Sequence, residues 1–351
     1  MQTTFWHIAG KSYHFGRHGL GQEESNLHYT SDTLFSALIC SLAEIHGESE
    51  IQAWMEAFHS STPPFVLSSA FPRAAEVRFY PTPLHKMEND TNQTPQVEVK
   101  KLKRLRYLSE KAFLEKLKGE PLSNLIRQGR LLQNGTMLVM KEDLTALPKA
   151  IREESEPIFI IDRRPRVTID RINSKSSIYF TGQTHFSHDC GLWFAIRWLK
   201  EQETFQPSLE AALHNLEDVG IGGERSNGMG KASFHRQENP PALPLAEGKH
   251  WLSLSRYLPA ADECSALLDA QAAYQLETVG GWTYSPGQKA QRRINLHMLT
   301  EGSVLGAISK AVPGQIIDVQ PVYVNAQGHE IKPQTHPIWR NGLAFPVGIT
   351  L

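Results

Sequence analysis

Three cysteines are all that 351 residues carry, and Cys40, Cys190 and Cys264 stand far apart with no C-x-x-C pair. That spacing argues against a disulfide framework and against a thiolate zinc site, so the thiols read as reduced, in the cytoplasm. Long apolar runs are missing too. No stretch approaches the roughly 18 apolar residues of a membrane span, and the opening MQTTFWHIAGKSYHF has no basic segment leading into an apolar one. Neither sign of charge is in excess: 36 Lys and Arg face 37 Asp and Glu, a net charge of -1, so affinity for nucleic acid has to come from uneven placement. Glycine (25) and proline (21) stay near average, which excludes collagen-like and wholly disordered chains, while 40% hydrophobic residues suffice for a real core. The length favours two domains, at roughly 100 to 200 residues each.

What is present divides at QENPPALPLAEG (237–248), where Pro240, Pro241 and Pro244 suppress helix and ladder alike. A first domain over 1–238 and a second over 249–351 are expected. After the linker comes an alternating run through Trp251, Leu252, Leu254 and Tyr257, then strands at 273–282, 291–298 and 315–324, with short helices at 262–268 and 303–310. The order is β-α-β-β-α-β. The same order is read before the linker: a strand at 3–9, a helix capped by Ser31-Asp32 with Leu34, Phe35, Leu38, Ile39 and Leu42 at helical spacing, sheet at 158–169, 177–186 and 191–199, a helix from Pro207-Ser208, and a returning strand at 231–235. An insertion, about 81–156, interrupts it with a polar stretch, HKMENDTNQTP, and one amphipathic helix in VEVKKLKRLRYLSEKAFLEKLKGE. The fold class is therefore α+β, two tandem ferredoxin-like domains with the long insertion in the first.

The densest local signal is GIGGERSNGMG (220–230), five glycines in eleven residues. Glycine allows positive φ and close backbone approach, so successive N–H groups can face phosphate oxygens, with Arg225 adding a charged fork and Ser226 and Asn227 adding hydrogen bonds. A tight structural turn is the alternative. A nucleotide-binding loop is not, because Arg225 stands where the dinucleotide fingerprint needs its third glycine and the loop runs from helix to strand. A second glycine-rich turn, HFGRHGLG (14–21), offers His14 and His18, but Gly16 and Gly19 oppose the helix a zinc pair needs. Basic residues cluster at Lys100, Lys101, Lys103, Arg104 and Arg106, at Arg163, Arg164, Arg166 and Arg171, and at Lys289, Arg292 and Arg293. The second and third clusters, borne on strands, suit a phosphate backbone; the first reads equally as a solvated helix face. Fifteen histidines admit acid–base chemistry on RNA, yet the sequence supports no Ser/His/Asp or paired-carboxylate arrangement.

Five segments in this order, SDTLFSAL (31–38), PRVTIDR (165–171), GIGGERSNGMGKASF (220–234), RRINLHMLTEGSVL (292–305) and HPIWRNGLAFPVGI (336–349), resemble the RAMP subunit that caps the five-prime handle of crRNA in type III-A CRISPR (Csm) effector complexes. The resemblance implies ferredoxin-like domains, no catalytic role and no cofactor or metal. It also implies a place at the foot of the complex, between the large polymerase/cyclase-like subunit and the adjacent backbone RAMP subunit, in antiviral defence. Carried over position by position, it puts Gly222, Gly223, Arg225, Ser226 and Met229 at the RNA, with Arg166 and Arg171 from PRVTIDR and Arg292, Arg293 and Arg340 from the C-terminal segments. Tyr13, Phe15 and Tyr179 are candidates to stack on bases. The runner-up is a RAMP endoribonuclease that processes precursor crRNA with His14, His18 or His297 as general base, and a protein-binding scaffold is the third reading.

Overall fold

The computed structural model describes residues 2–16, 24–84, 96–200, 202–238, 241–283, 289–325 and 327–351. The polar stretch at 85–95, His18 and Pro240 lie outside the described residues. A run buried continuously from Thr4 to Ile8, with Phe5, Trp6 and Ile8, builds β1 (Gln2–Ala9), and after β2 (Ser12–Tyr13) helical spacing builds α1 (Ser31–His46). Then follow α2 (Glu48–Phe58), β3 (Phe65–Leu67), β4 (Phe71–Ala74) and β5 (Val77–Pro81). The insertion forms α3 (Gln96–Arg104), β6 (Tyr107–Ser109), α4 (Glu110–Leu117), α5 (Leu122–Gln128), β7 (Arg130–Leu132), β8 (Met137–Val139), α6 (Lys141–Leu144) and α7 (Lys149–Arg152). The one amphipathic helix expected there is thus two, because Tyr107 and Leu108 pair with β5 and β8 as a strand between them. The half closes with β9 (Phe159–Ile169), β10 (Ser176–Phe186), β11 (Cys190–Trp198), α8 (Gln202–Val219) and β12 (Ser233–Gln237). Helix α8 begins ahead of its expected start and carries Pro207 inside.

The main sheet runs β12-β1-β11-β4-β5-β6-β8-β7, with β3 also on β11. Its centre is antiparallel, His7 lying opposite both Trp193 and His235. Of the strands expected in the first half, those at 3–9, 191–199 and 231–235 lie side by side here as β1, β11 and β12. Those at 158–169 and 177–186 leave it for a separate sheet, β2-β10-β9, because they pair with each other along their whole length. Strand β3, not expected from the sequence, takes the place beside β11, and the insertion extends the main sheet through β6, β8 and β7. Pleating sends alternate side chains to opposite faces. On one face Trp198 meets Phe65, and Trp54 of α2 meets Phe65 and Phe205 of α8. On the other, Phe5, Trp193, Tyr80 and Phe113 of α4 follow one another at 5.4, 4.4 and 4.4 Å between ring centroids. Both faces are covered and β11 is buried at every position. The centre of this sheet has no open surface on which RNA could lie.

After the linker the chain is mostly short strands: β13 (His250–Ser253), β14 (Leu276–Val279), β15 (Leu296–Leu299), β16 (Val304–Gly306), β17 (Ile316–Asp318), β18 (Tyr323–Val324), β19 (Glu330–Ile331), β20 (Trp339–Asn341) and β21 (Pro346–Ile349), with a 3-10 helix at Ala261–Leu268. They form a β16-β13-β21 sheet and the ladders β14-β15, β17-β20 and β18-β19. The second β-α-β-β-α-β does not appear in the expected form. The 303–310 segment, expected as a helix, gives β16, because Val304 and Leu305 bury themselves completely opposite Leu252 and Trp251.

Helix α1 is where the halves meet. Thr30 precedes it with no side-chain cap bond, and Ser31 and Asp32 do not cap it. Instead Ser31 Oγ accepts the amide of Arg256 at 2.9 Å, and Asp32 Oδ2 accepts from Arg340 Nη1 at 2.5 Å. Beside them Arg256 pairs with Glu277 at 2.5 Å and Glu301 at 3.2 Å, and Ser69 donates to Glu301. Burial alone would raise the Glu301 carboxyl, but Arg256 and then His28 outweigh it and hold it well below the usual carboxylate range. Arg197 is the exception: buried, with no carboxylate pairing it among the described residues, it donates to Pro346 O at 2.5 Å and lies 4.4 Å from the Phe345 ring centroid. Apolar packing is continuous across this seam, since Leu252, Leu254, Phe345 and Val347 share one core with Phe5 and Leu34.

Candidate nucleic-acid interface

The glycine loop leaves the end of α8 and returns to β12. Gly220 N–H bonds Leu216 O, Ile221 N–H bonds Gly230 O, Gly230 N–H bonds Ser12 O and Gly223 N–H bonds His14 O, all at 2.8 to 2.9 Å. Gly222 has φ +80, and a Cβ there would lie 2.7 Å from His14 O; at Gly230, φ +85, it would lie 2.3 Å from Ile221 O. Internal packing is what requires these glycines. The amides of Gly220, Ile221, Gly223 and Gly230 are spent on the protein itself, and the outward part of the loop is its middle, where Arg225 and Ser226 are exposed. Arg225 Nη1 stands 3.4 Å from the carbonyl oxygens of Val219 and Gly220, at a helix end that favours a cation. Met229, carried over to the RNA, is only 7% exposed.

His14 joins this loop to an arm. Its Nδ1 donates to Gly182 O of β10 at 2.7 Å while its own carbonyl accepts Gly223 N–H. Strands β9 and β10 pair from Phe159 opposite Phe186 to Ile169 opposite Ser176, and beyond the base most side chains are exposed. The register sorts them. Pro165, Val167 and Ile169 share a face with Phe180 and Ile178, whereas Arg164, Arg166 and Thr168 share the opposite face with Tyr179 and Ser177. On the first face Val167, Ile169 and Ile178 are 55, 65 and 68% exposed, an apolar strip without cover. On the second, Arg166 lies opposite Tyr179, both half-buried. The turn, closed by Asp170 N–H to Lys175 O at 2.9 Å, presents Arg171 and Ile172 at the tip.

The C-terminal cations occupy a third place. Trp282 pairs with Arg292 across a ladder stem, and Arg292 sets its Cζ 5.3 Å from the indole centroid. Arg293 turns aside and donates to Gly280 O at 2.7 Å. The stem is bonded to the segment beyond it through Ile294 N–H to Val319 O, Gln334 to Lys289 O, and Tyr323 Oη to Gln291. Trp282 drew no notice in the sequence, although no Asp or Glu occurs between Glu277 and Glu301, and an aromatic in a basic, acid-free run was the signal.

Other candidates prove internal. Arg340 is 2% exposed and spent on Asp32, so its side chain is not offered to RNA. Tyr13 and Phe15 stack on each other at 5.0 Å inside the core, where burial pushes the Tyr13 phenol up, and neither can stack on a base. His14 is buried by the contacts above, and exposed His297 bonds Thr278 Oγ1 at 3.2 Å. Among the described residues no three His, Cys, Asp or Glu are grouped to hold a metal, and no helix is long and apolar enough to cross a membrane.

Known proteins share this architecture. Residues 246–349 match the CRISPR Csm4 C-terminal domain. The chain is 24% identical to the CRISPR system Cms protein Csm4 of Thermococcus onnurineus (strain NA1), over 92% of its own length and 91% of that protein's. It is 28% identical to the protein of the same name from Streptococcus thermophilus, over 92% and 94%. Among solved structures, a chain of the Csm3-Csm4 subcomplex in the type III-A CRISPR-Cas interference complex superposes with a TM-score of 0.65 at 16% identity, covering 99% of this chain and 100% of that one. A chain of the Csm1-Csm4 cassette in complex with cA4 superposes with a TM-score of 0.55 at 20% identity, covering 100% and 99%. The mixed α+β fold with one large sheet is common ground.

Proposed function

We propose that this chain, a Csm4-like RAMP subunit of a type III CRISPR effector complex, holds the five-prime handle of crRNA in the cytoplasm and bridges the large subunit to the backbone subunits without cutting RNA. The observation that carries the reading is the two-faced arm. Its Arg164, Arg166 and Tyr179 face combines charge for phosphates with a ring for a base, and Arg171 extends it at the tip. Its opposite strip of Val167, Ile169 and Ile178 suits a neighbouring subunit. Related chains have been seen with Csm3 and with Csm1. Arg225 and Ser226 add contacts from the glycine loop, tied to the arm's base by His14, while Gly222, Gly223, Met229 and Arg340 serve by shaping the body. We take 1–238 and 249–351 as the two units that the seam joins. The His14 ring, buried and bound to Gly182 O, is no free base for cleavage.

Purifying the complex through a tag on this chain and sequencing the RNA it carries tests the reading. The expected result is short RNA that begins in repeat sequence and stays uncut near neutral pH, with or without divalent metal. A complex carrying no RNA, or cleavage that disappears in His297→Ala, overturns it.

A further inference from the structure

Six of the seven tryptophans are buried or half-buried, and the exception is Trp282, 61% exposed on the stem beside Arg292. Leaving so large an apolar ring in water has no structural return, since the stem is already held by Thr283 N–H to Gln291 O at 2.7 Å, Arg293 N–H to Gly281 O at 2.9 Å and Gln291 N–H to Thr283 Oγ1 at 2.9 Å. The guanidinium of Arg292 lies against the ring, and the high exposure shows that it leaves much of the indole uncovered. Lys289 and Arg292 are exposed, and the run between Glu277 and Glu301 holds no acidic residue that would repel phosphate. Glu277 itself is taken by Arg256. A second exposed aromatic, Tyr323, is fixed next to the stem by its bond to Gln291.

We infer that Trp282 and Arg292 form a stacking site for a base of single-stranded RNA, the free indole surface taking the base and Arg292 with Lys289 taking its flanking phosphates. The site is built on other elements than the arm and the glycine loop, and it rests on the reading of the chain as an RNA holder. A flat ring backed by a guanidinium accepts any base, so this contact fixes the strand without selecting its sequence.

The test uses the full chain, an eight-nucleotide oligoadenylate, and an abasic ribose-phosphate of equal length. Oligoadenylate should quench tryptophan fluorescence and shield it from iodide, and the abasic strand should do neither. Trp282→Ala should bind oligoadenylate about tenfold more weakly, with affinity for the abasic strand unchanged, while Trp282→Phe keeps most of it. Arg292→Gln should weaken both strands. Because Trp282 is exposed, the melting temperature should hold in all three variants. Wild-type affinity for oligoadenylate in Trp282→Ala overturns the inference and leaves the RNA-holding reading intact. Iodide shielding that arises on assembly with protein partners free of RNA also overturns it, making Trp282 a protein contact. If neither the wild-type chain nor the purified native complex holds RNA, the reading itself falls and this site falls with it.

Discussion

At the seam, Arg256 and Arg340 are almost wholly buried and each meets a carboxylate, while on the arm Arg164 and Arg171 lie open to solvent with Val167, Ile169 and Ile178 exposed beside them. Stripping water from a charge is costly unless a partner stands ready, so Arg256 and Arg340 come paired from within the chain, while Arg197 has only a carbonyl and a ring. The arm follows the opposite rule. Its charges keep their water and no described residue covers its apolar strip, which is why we propose other molecules as the partners of both faces. The same residue types are thus paired and buried in one place and open to solvent in the other.

The largest effect should come from breaking the seam. Asp32→Ala leaves Arg340 buried without its partner and should cost ~3–5 kcal/mol in urea unfolding, with the double variant Asp32→Leu/Arg340→Met recovering most of it. A loss below about 1 kcal/mol for the single change would mean that packing, not this pair, holds the halves. Gly222→Ala comes next, at roughly 1–3 kcal/mol, because it combines a left-handed φ with a Cβ against His14 O. RNA affinity of the folded fraction should be unchanged; a selective loss of RNA binding without loss of stability would return the loop to the role of phosphate cradle.

His7 sharpens the contrast through pH. Burial first, then Arg73 and Arg78, lower its pKa from 6.5 to about 3. Between these values the unfolded chain binds a proton that the folded one refuses, so stability falls as pH drops through that window, by up to ~1.4 kcal/mol per pH unit. In His7→Leu the melting temperature should fall less steeply on acidification, and an unaltered slope would show that the ring is not kept neutral in the interior. The smallest change in stability is expected on the arm. Arg166→Ala with Arg171→Ala should stay within ~0.5 kcal/mol of wild type, yet make the log–log salt dependence of RNA binding shallower by ~0.7 for each phosphate no longer neutralised. An unchanged slope would leave the arm to protein partners alone.

Much of the first half was legible because periodicity and burial agree there. Leu34, Phe35, Leu38 and Leu42 at helical spacing became the buried stripe of α1, and the long runs around Ile160, Ile178 and Trp193 became β9, β10 and β11. Short apolar runs misled, since Val304 and Leu305 fit a helix turn or a strand equally until β13 supplies a partner. The helix expected through 97–120 broke at Tyr107 for the same reason. Candidate site residues divided by direction, which sequence does not record: Arg171 and Arg340 look alike in one dimension, but one is at a tip and the other beneath α1. Glycine density marked a real special backbone at 220–230, and it was the neighbour, His14, that had to be seen to know why.

The seam also sets an order in time. What neutralises Asp32 is Arg340, 308 positions downstream, and what covers Arg197 is Pro346 and Phe345, about 149 positions further on. A nascent chain has β1, α1 and β11 long before it has either. Until Arg340 and β21 emerge, those charges can stay hydrated only if the seam remains open. Closure of the seam is thereby a late step, reached only once residues 340–346 have joined the chain.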